Sequence, residues 1–151
     1  MLKKFLLAVG FVFATVGFSF AADKGTADEA KAMVAKAQQE IKAKGLEAAS
    51  KAFTEDAKWK DQDLYVFVIK FDGSTVAHGG NKSLVGKNMI ALKDANGKEF
   101  VKELIDTAKG KGSGWVDYYW LNSNSKKVEP KSSYVEAVVG QDALVSVGIY
   151  K

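Results

Sequence analysis

Apolar residues first recur at helical spacing. Ala30, Met33, Val34, Ala37 and Ile41 fall on one face of a segment whose other positions are Lys, Glu and Gln. Thr26 followed by Glu29 forms a capping box ahead of that stripe, and Lys42 and Lys44 suit the negative end of the helix dipole. Gly45 offers a left-handed C-terminal cap, so a helix is predicted over 28–44. A shorter helical piece, 46–53, puts Ala49 and Phe53 on one face. The period then changes to that of strands. Residues 64–71 are aliphatic and aromatic on both faces, as in a central strand covered on both sides. Asp72-Gly73 is a hairpin turn signal, and 74–78 returns as a second strand. After a loop containing Gly79, Gly80, Gly86 and Asn88, residues 96–99 can cap a second long helix. Its stripe is Phe100, Val101, Leu104, Ile105 and Ala108, and Gly110 is its expected end. Strands at 115–121, 132–139 and 144–150 complete the pattern, separated by polar turns at 122–127 and 140–142.

Short turns between successive strands imply antiparallel neighbours. The order of helix, two strands, helix and three strands predicts an α+β fold, with a long N-terminal helix on a mostly antiparallel five-stranded sheet. No repeat, linker or low-complexity tract divides the chain, so a single domain over 22–151 is expected, with a helical lead at 26–53 and a sheet region at 63–151. Ahead of it, Lys3 and Lys4 precede an uncharged apolar run over 5–18. Ser19 and Ala21 then supply small residues at the −3 and −1 positions of a cut before Ala22. That layout reads as a cleaved signal peptide over 1–21, hence export and a periplasmic location; the run is a little short for a spanning anchor.

Composition narrows the function. The chain has no Cys and one His, and its 22 basic residues are all Lys. Two of them lie in the leader, leaving a net charge of +2, with lysines and carboxylates interspersed as on a solvated surface. Without Arg forks or a dense basic face, nucleic acid is not an expected partner. One His and no Cys leave no transition-metal spacing, and neither a metal nor another cofactor is expected. Gly110-Lys111-Gly112 lacks the Ser or Thr of a phosphate-binding loop. Asp94-Ala95-Asn96-Gly97 misplaces the Gly of a calcium loop and reads as a turn with a helix cap. A Ser-His-Asp triad would have to recruit His78, and no nucleophile elbow supports it. Catalysis is not expected.

What remains is the aromatic content of 115–121. Alternation puts Val116, Tyr118 and Trp120 on one face and Trp115, Asp117 and Tyr119 on the other. Rings with polar tips can line a pocket. Alternation alone favours the simpler alternative, that they are core beneath the first helix. Lys131, after the single proline Pro130, would supply a point charge for an anion if it faced those rings, and Tyr134 follows in the same segment. His78 ends its strand beside Gly79 and Gly80, where small residues would leave room for a ligand; a hydrogen-bonded structural histidine is the alternative.

As a set, these segments resemble a known family. Asp63-Leu64-Tyr65-Val66-Phe67-Val68, Asp72-Gly73, Val76-Ala77-His78-Gly79, Leu84-Val85-Gly86-Lys87-Asn88 and Asp94-Ala95-Asn96-Gly97-Lys98 occur in the family's order. So do Gly114-Trp115-Val116-Asp117-Tyr118-Tyr119-Trp120, Lys131-Ser132-Ser133-Tyr134-Val135 and Val147-Gly148-Ile149-Tyr150. Together they resemble a single Cache domain of the second type, across nearly all of 63–151. The resemblance implies a PAS-like fold with a ligand pocket on the sheet face away from the long helix, a sensory role in signal transduction, and small organic carboxylates among its ligands. Carried over by position, it implies His78, Tyr118, Trp120, Lys131 and Tyr134 as pocket residues, with Tyr150 from the closing Gly-x-Tyr. The family's proline-containing turn after Tyr-x-Trp is replaced by Leu121-Asn122-Ser123, which bears on the shape of the rim. No second apolar span follows, so a free-standing periplasmic binding protein is expected, one that reports to a membrane receptor or histidine kinase. The alternative is an interaction module without a functional pocket, in which the Ala-rich face of the first helix pairs with a second copy or a receptor helix.

Overall fold

In the computed structural model, residues 24–151 are described; the leader and its cleavage site lie outside them. Helix α1 (Ala27–Lys44) starts at the expected box. The Glu29 amide donates to Thr26 Oγ1 at 3.3 Å, and the Thr26 amide donates to Glu29 Oε2 at 2.8 Å. Two of the helix's orphan donors are thereby satisfied reciprocally. Gly45 does not take the expected left-handed cap. With φ 86° and ψ 160° it is extended at positive φ, a conformation that favours glycine. Its amide donates to Ile41 O to close α1, while the residue itself opens α2 (Leu46–Glu55).

The strands are β1 (Lys60–Asp61), β2 (Leu64–Lys70), β3 (Thr75–His78), β4 (Ser113–Asn122), β5 (Lys127–Ala137) and β6 (Ala143–Tyr150). All pairings are antiparallel, in the order β1-β2-β6-β5-β4, and β3 pairs with β2. The sixth strand, absent from the five-strand expectation, is the two-residue β1 that joins β2 opposite Leu64 and Tyr65. The β4–β5 hairpin is longer than its composition suggested, because Pro130 lies inside β5, opposite Tyr119. Proline lacks a ladder donor and is tolerated where none is needed. Pro130 O accepts from the Lys151 amide just past the end of β6, and the Lys151 carbonyl is taken by Lys24 Nζ at 3.1 Å.

Alternation divides the sheet into two buried faces. Leu64, Val66, Val68, Val145 and Val147 pack under α1 and α2, against Ala30, Val34, Ala37, Ile41, Ala49 and Phe53. Alanines let α1 approach the sheet closely, and this spends the face that would have paired with another copy: Ala30, Val34 and Ala37 are fully buried against their own sheet. The opposite face carries Tyr65, Phe67, Ile69, Val116, Tyr118 and Val135 and is closed by α3 (Phe100–Lys111) through Phe100, Val101, Leu104, Ile105 and Ala108. Helix α3 runs past Gly110 and ends at Gly112, which is left-handed (φ 79°) with its amide on Ala108 O. No side chain caps its start at Glu99. The Asp94 turn instead fastens the preceding loop to β4: Asp94 Oδ1 accepts from the Asn96 and Lys98 amides, each at 2.9 Å, and Oδ2 accepts from the Tyr119 amide at 3.0 Å.

Candidate functional site

On the face closed by α3, strand register sets Lys131 of β5 between two tyrosines, with Tyr118 of β4 opposite on one side and Tyr150 of β6 on the other. Directly paired residues share a face, so the lysine and both rings point inward. The stem of Lys131 crosses Gly148 of β6, where a Cβ would collide with Lys131 Cε and Ser133 Oγ. Only a residue without a side chain leaves that path open. Lys131 is 1% exposed. Its Nζ donates to Tyr65 Oη at 2.7 Å and lies 4.2, 5.0 and 5.7 Å from the ring centroids of Tyr65, Tyr150 and Phe67. Lysines are almost never fully buried without an ion partner, and the salt bridges among the described residues do not include this one.

His78 ends β3 opposite Phe67, its ring centroid 5.0 Å from Tyr65, 5.8 Å from Phe67 and 6.2 Å from Trp120. His78 Nδ1 accepts from the Asn81 amide at 2.9 Å, which leaves the proton of the neutral ring on Nε2, turned away from that loop. Tyr118 stacks on Phe100 at 4.3 Å and shares a 2.8 Å hydrogen bond with Ser133 Oγ. Trp120 meets Phe100 edge-on at 5.5 Å and is half-buried, the most accessible ring of the group. Tyr150 Oη donates to Leu121 O at 2.9 Å.

Burial sets the protonation states. Desolvation, reinforced by the neighbouring Lys131 charge, lowers His78 to about 3, so the ring is neutral at any physiological pH. Desolvation brings Lys131 from 10.5 to about 7 against a smaller opposing pull from Asp63. The phenols move the other way: burial pushes Tyr150 up to about 12 and raises Tyr65 and Tyr118 further. The cluster is therefore a set of neutral donors around one amine that titrates near neutrality.

Five of the six residues named from the sequence, His78, Tyr118, Trp120, Lys131 and Tyr150, meet here. Tyr134 does not. Odd and even positions of β5 face opposite ways, so Tyr134 points to the α1 side, against Trp115 (5.3 Å) and under Lys31 (5.4 Å), with its hydroxyl donating to Glu136. The pocket expected between the rings is corrected: they pack on one another rather than standing around a void, and the lysine head group is enclosed among them. Gly79 and Gly80 leave no ligand space either; a Cβ at Gly80 would meet the Tyr65 ring at 2.6 Å, so these glycines let the backbone lie against that ring. Tyr65, Phe67 and Phe100 were not singled out beforehand. The signal for the first two lay within β2, whose aromatics occupy one parity and valines the other.

A family model, Single Cache domain 2, matches residues 19–151. The chain belongs to this family. The expected α+β, PAS-like Cache architecture is thus found, with the long helix and the candidate site on opposite faces of the sheet. The sensor histidine kinase MctS of Rhizobium johnstonii is 32% identical over 89 residues, which is 59% of this chain and 19% of that protein. The chain therefore spans about a fifth of the length of that relative. Among solved structures, a methyl-accepting chemotaxis protein from Vibrio parahaemolyticus superposes with a TM-score of 0.70 at 29% identity, covering 82% of this chain and 86% of that one. A Cache chemosensory domain described for its recognition of carboxylic acid superposes at 0.64 with 21% identity, covering 80% and 84%. This Cache domain is of the ligand-binding, sensory kind found in chemoreceptors and histidine kinases, and no enzyme family is indicated. No helix among the described residues is long and apolar enough to cross a membrane.

Proposed function

We propose that this Cache domain binds a small organic carboxylate in the periplasm and reports its presence to a membrane receptor or histidine kinase. One observation carries the reading: Lys131 is wholly buried, aimed into a ring of aromatic side chains and without a carboxylate partner. A buried amine with no ion-pair partner, opposed only by the weaker pull of Asp63, is costly to charge, and an incoming anion returns that free energy. The surrounding donors suit a carboxylate too. Tyr65 and Tyr118 keep their phenolic protons, and the Nε2–H of His78 is a neutral donor. Phe67, Phe100 and Trp120 provide the apolar wall for a short carbon chain. Because the rings are in mutual contact, entry requires one of them to move, and half-buried Trp120 is the one with water on a side. Support for the ligand class comes also from the structural neighbour described for carboxylic acid recognition. The leader over 1–21, read as a cleaved signal peptide, supports the compartment, with one Cache domain over 22–151.

Calorimetry of the exported chain against two- to four-carbon acids tests this. The expected result is a hit that Lys131→Met weakens at least tenfold, the equivalent of about 1.4 kcal/mol. Equal affinity in the variant would remove Lys131 from the site.

A further inference from the structure

Resting on the carboxylate reading just given, we propose that the acid does not bind alone: each molecule bound draws one proton from solution onto Lys131, so that acid and proton enter the site together. Each element around Nζ turns a different group toward it. From β2 come the Tyr65 hydroxyl, its hydrogen-bond partner at 2.7 Å, and the Phe67 ring. From β3 comes His78, uncharged because its Nδ1 is occupied by the Asn81 amide and its ring is buried. From β4 comes Tyr118, whose hydroxyl is engaged by Ser133, and from β6 Tyr150, whose hydroxyl is engaged by Leu121 O. Helix α3 contributes only Phe100, which stacks on Tyr118. The nearby carboxylate, Asp63 before β2, spends Oδ1 on the Gly25 amide at 2.7 Å; its Oδ2 is buried without a hydrogen-bond partner, and its charge opposes the desolvation of Lys131 from outside salt-bridge distance.

No group in this shell is an anion paired with the lysine. Water is excluded, and what replaces it is one phenol oxygen and three ring faces. Ring faces attract a desolvated ammonium, but by less than is lost when such an ion leaves water. The free protein consequently surrenders the Lys131 proton near neutral pH, burial bringing the amine down to about 7.

A carboxylate placed beside Nζ reverses this balance. The ion pair favours the ammonium and returns its titration toward the ordinary range. The proton bound in the complex and missing from the free protein must come from solvent, and linkage makes the affinity depend on pH by the same amount. Only a proton is transferred: the carboxylate arrives as the anion, the amine lone pair takes a proton from solvent or buffer, whose conjugate base stays in solution, and the resulting pair is neutral overall. Such a domain responds to the product of acid and proton concentrations, and it responds most strongly when an acid accumulates with falling pH.

The test is titration calorimetry of the whole exported chain with acetate, lactate and succinate at pH 6 and pH 8, each in phosphate and in Tris, whose ionisation enthalpies differ. The slope of observed enthalpy on buffer ionisation enthalpy counts protons. For the acid that binds, uptake of about 0.9 proton is expected at pH 8 and about 0.1 at pH 6, with affinity falling by close to tenfold per pH unit above pH 8. In carbon-13 spectra, the Lys131 Cε resonance should titrate near pH 7 in the free protein and not below pH 9 in the complex. Binding with the same enthalpy in both buffers at pH 8 and no pH dependence would overturn the proposal while leaving carboxylate recognition intact. Failure of every acid to bind at both pH values would overturn the two together.

Discussion

Replacing Lys131 by Met removes a titratable group while roughly conserving the length of an unbranched side chain. The folded protein holds this amine at about 7, against 10.5 in the unfolded chain. At 1.36 kcal/mol per unit, the shift corresponds to about 5 kcal/mol at low pH, trimmed to about 4 kcal/mol at pH 7, where the folded group is half titrated. Lys131 is 1% exposed, so solvent screening takes little from this. The sign follows from proton counting. Between pH 7 and 10.5 the unfolded chain carries a proton that the folded one lacks, so stability rises with pH across that window and the destabilisation is complete below pH 7. Wild type should therefore gain about 3 kcal/mol from pH 7 to pH 9.5; above that, the raised tyrosines begin to act in the opposite direction. The Met variant loses this slope. It also leaves the Tyr65 hydroxyl without its donor, at about 1–3 kcal/mol, so its net gain at pH 7 is about 1–3 kcal/mol. Urea denaturation followed by tryptophan fluorescence at intervals from pH 6 to 9.5, in buffers free of carboxylic acids, reads both quantities. Parallel wild-type and variant curves over pH 7–9.5 would show that the amine keeps its proton in the fold and would refute the reasoning.

The single histidine makes a second test direct: its ring proton resonances should stay unshifted from pH 8 to pH 5, because burial holds His78 at about 3. The same depression removes stability as pH falls below the ordinary value of 6.5, so acid unfolding should begin well above the carboxylate range and move lower in a His78→Gln variant, as urea midpoints at pH 4–6 would show. Gly148→Ala puts a methyl group on the Lys131 stem and should cost about 1–3 kcal/mol while displacing the amine, read as lower stability together with weakened acid binding. Thr26→Ala removes one half of the capping box and should cost about 1 kcal/mol by urea midpoint without altering binding, since α1 lies on the face of the sheet away from Lys131.

The local grammar of the chain was legible where one physical signal dominated. Thr26 and Glu29 announced the helix start, and alternation in 115–121 correctly separated Val116, Tyr118 and Trp120 from Trp115, Asp117 and Tyr119. Legibility failed where the outcome depended on register between strands. Whether Tyr134 joins Lys131 turns on a single position of parity, and β5 sets the two residues three positions apart, hence on opposite faces. The turn at Asp94 was read as a helix cap because its residue types allow either use; its carboxylate is claimed instead by the Tyr119 amide, 25 residues away, which only the folded chain brings within reach. Gly79 and Gly80 were read as room for a ligand, but the space they leave is filled by Tyr65, a residue of another strand.

The burial of Lys131 and the packing of the rings are two sides of one arrangement. A lysine at the rim of a preformed cavity would remain hydrated and charged, and an acid binding there would exchange one solvated pair for another at little net gain. With the ring centroids 4.3–6.5 Å apart and the amine enclosed, the site keeps its amine out of water before any ligand arrives. The proposed binding combines three changes: movement of Trp120, transfer of the carboxylate from water, and protonation of the amine. Each is unfavourable alone, and the first and last are offset only when an anion reaches Nζ. A neutral molecule of the same shape can displace the indole but does nothing for the lysine, so discrimination against uncharged analogues follows from the cost of the enclosed amine rather than from the outline of a pocket. The proposed coupling would tie recognition to a displacement at Trp120 on β4, the edge strand of the sheet, whose outer residues Trp115 and Tyr119 are exposed.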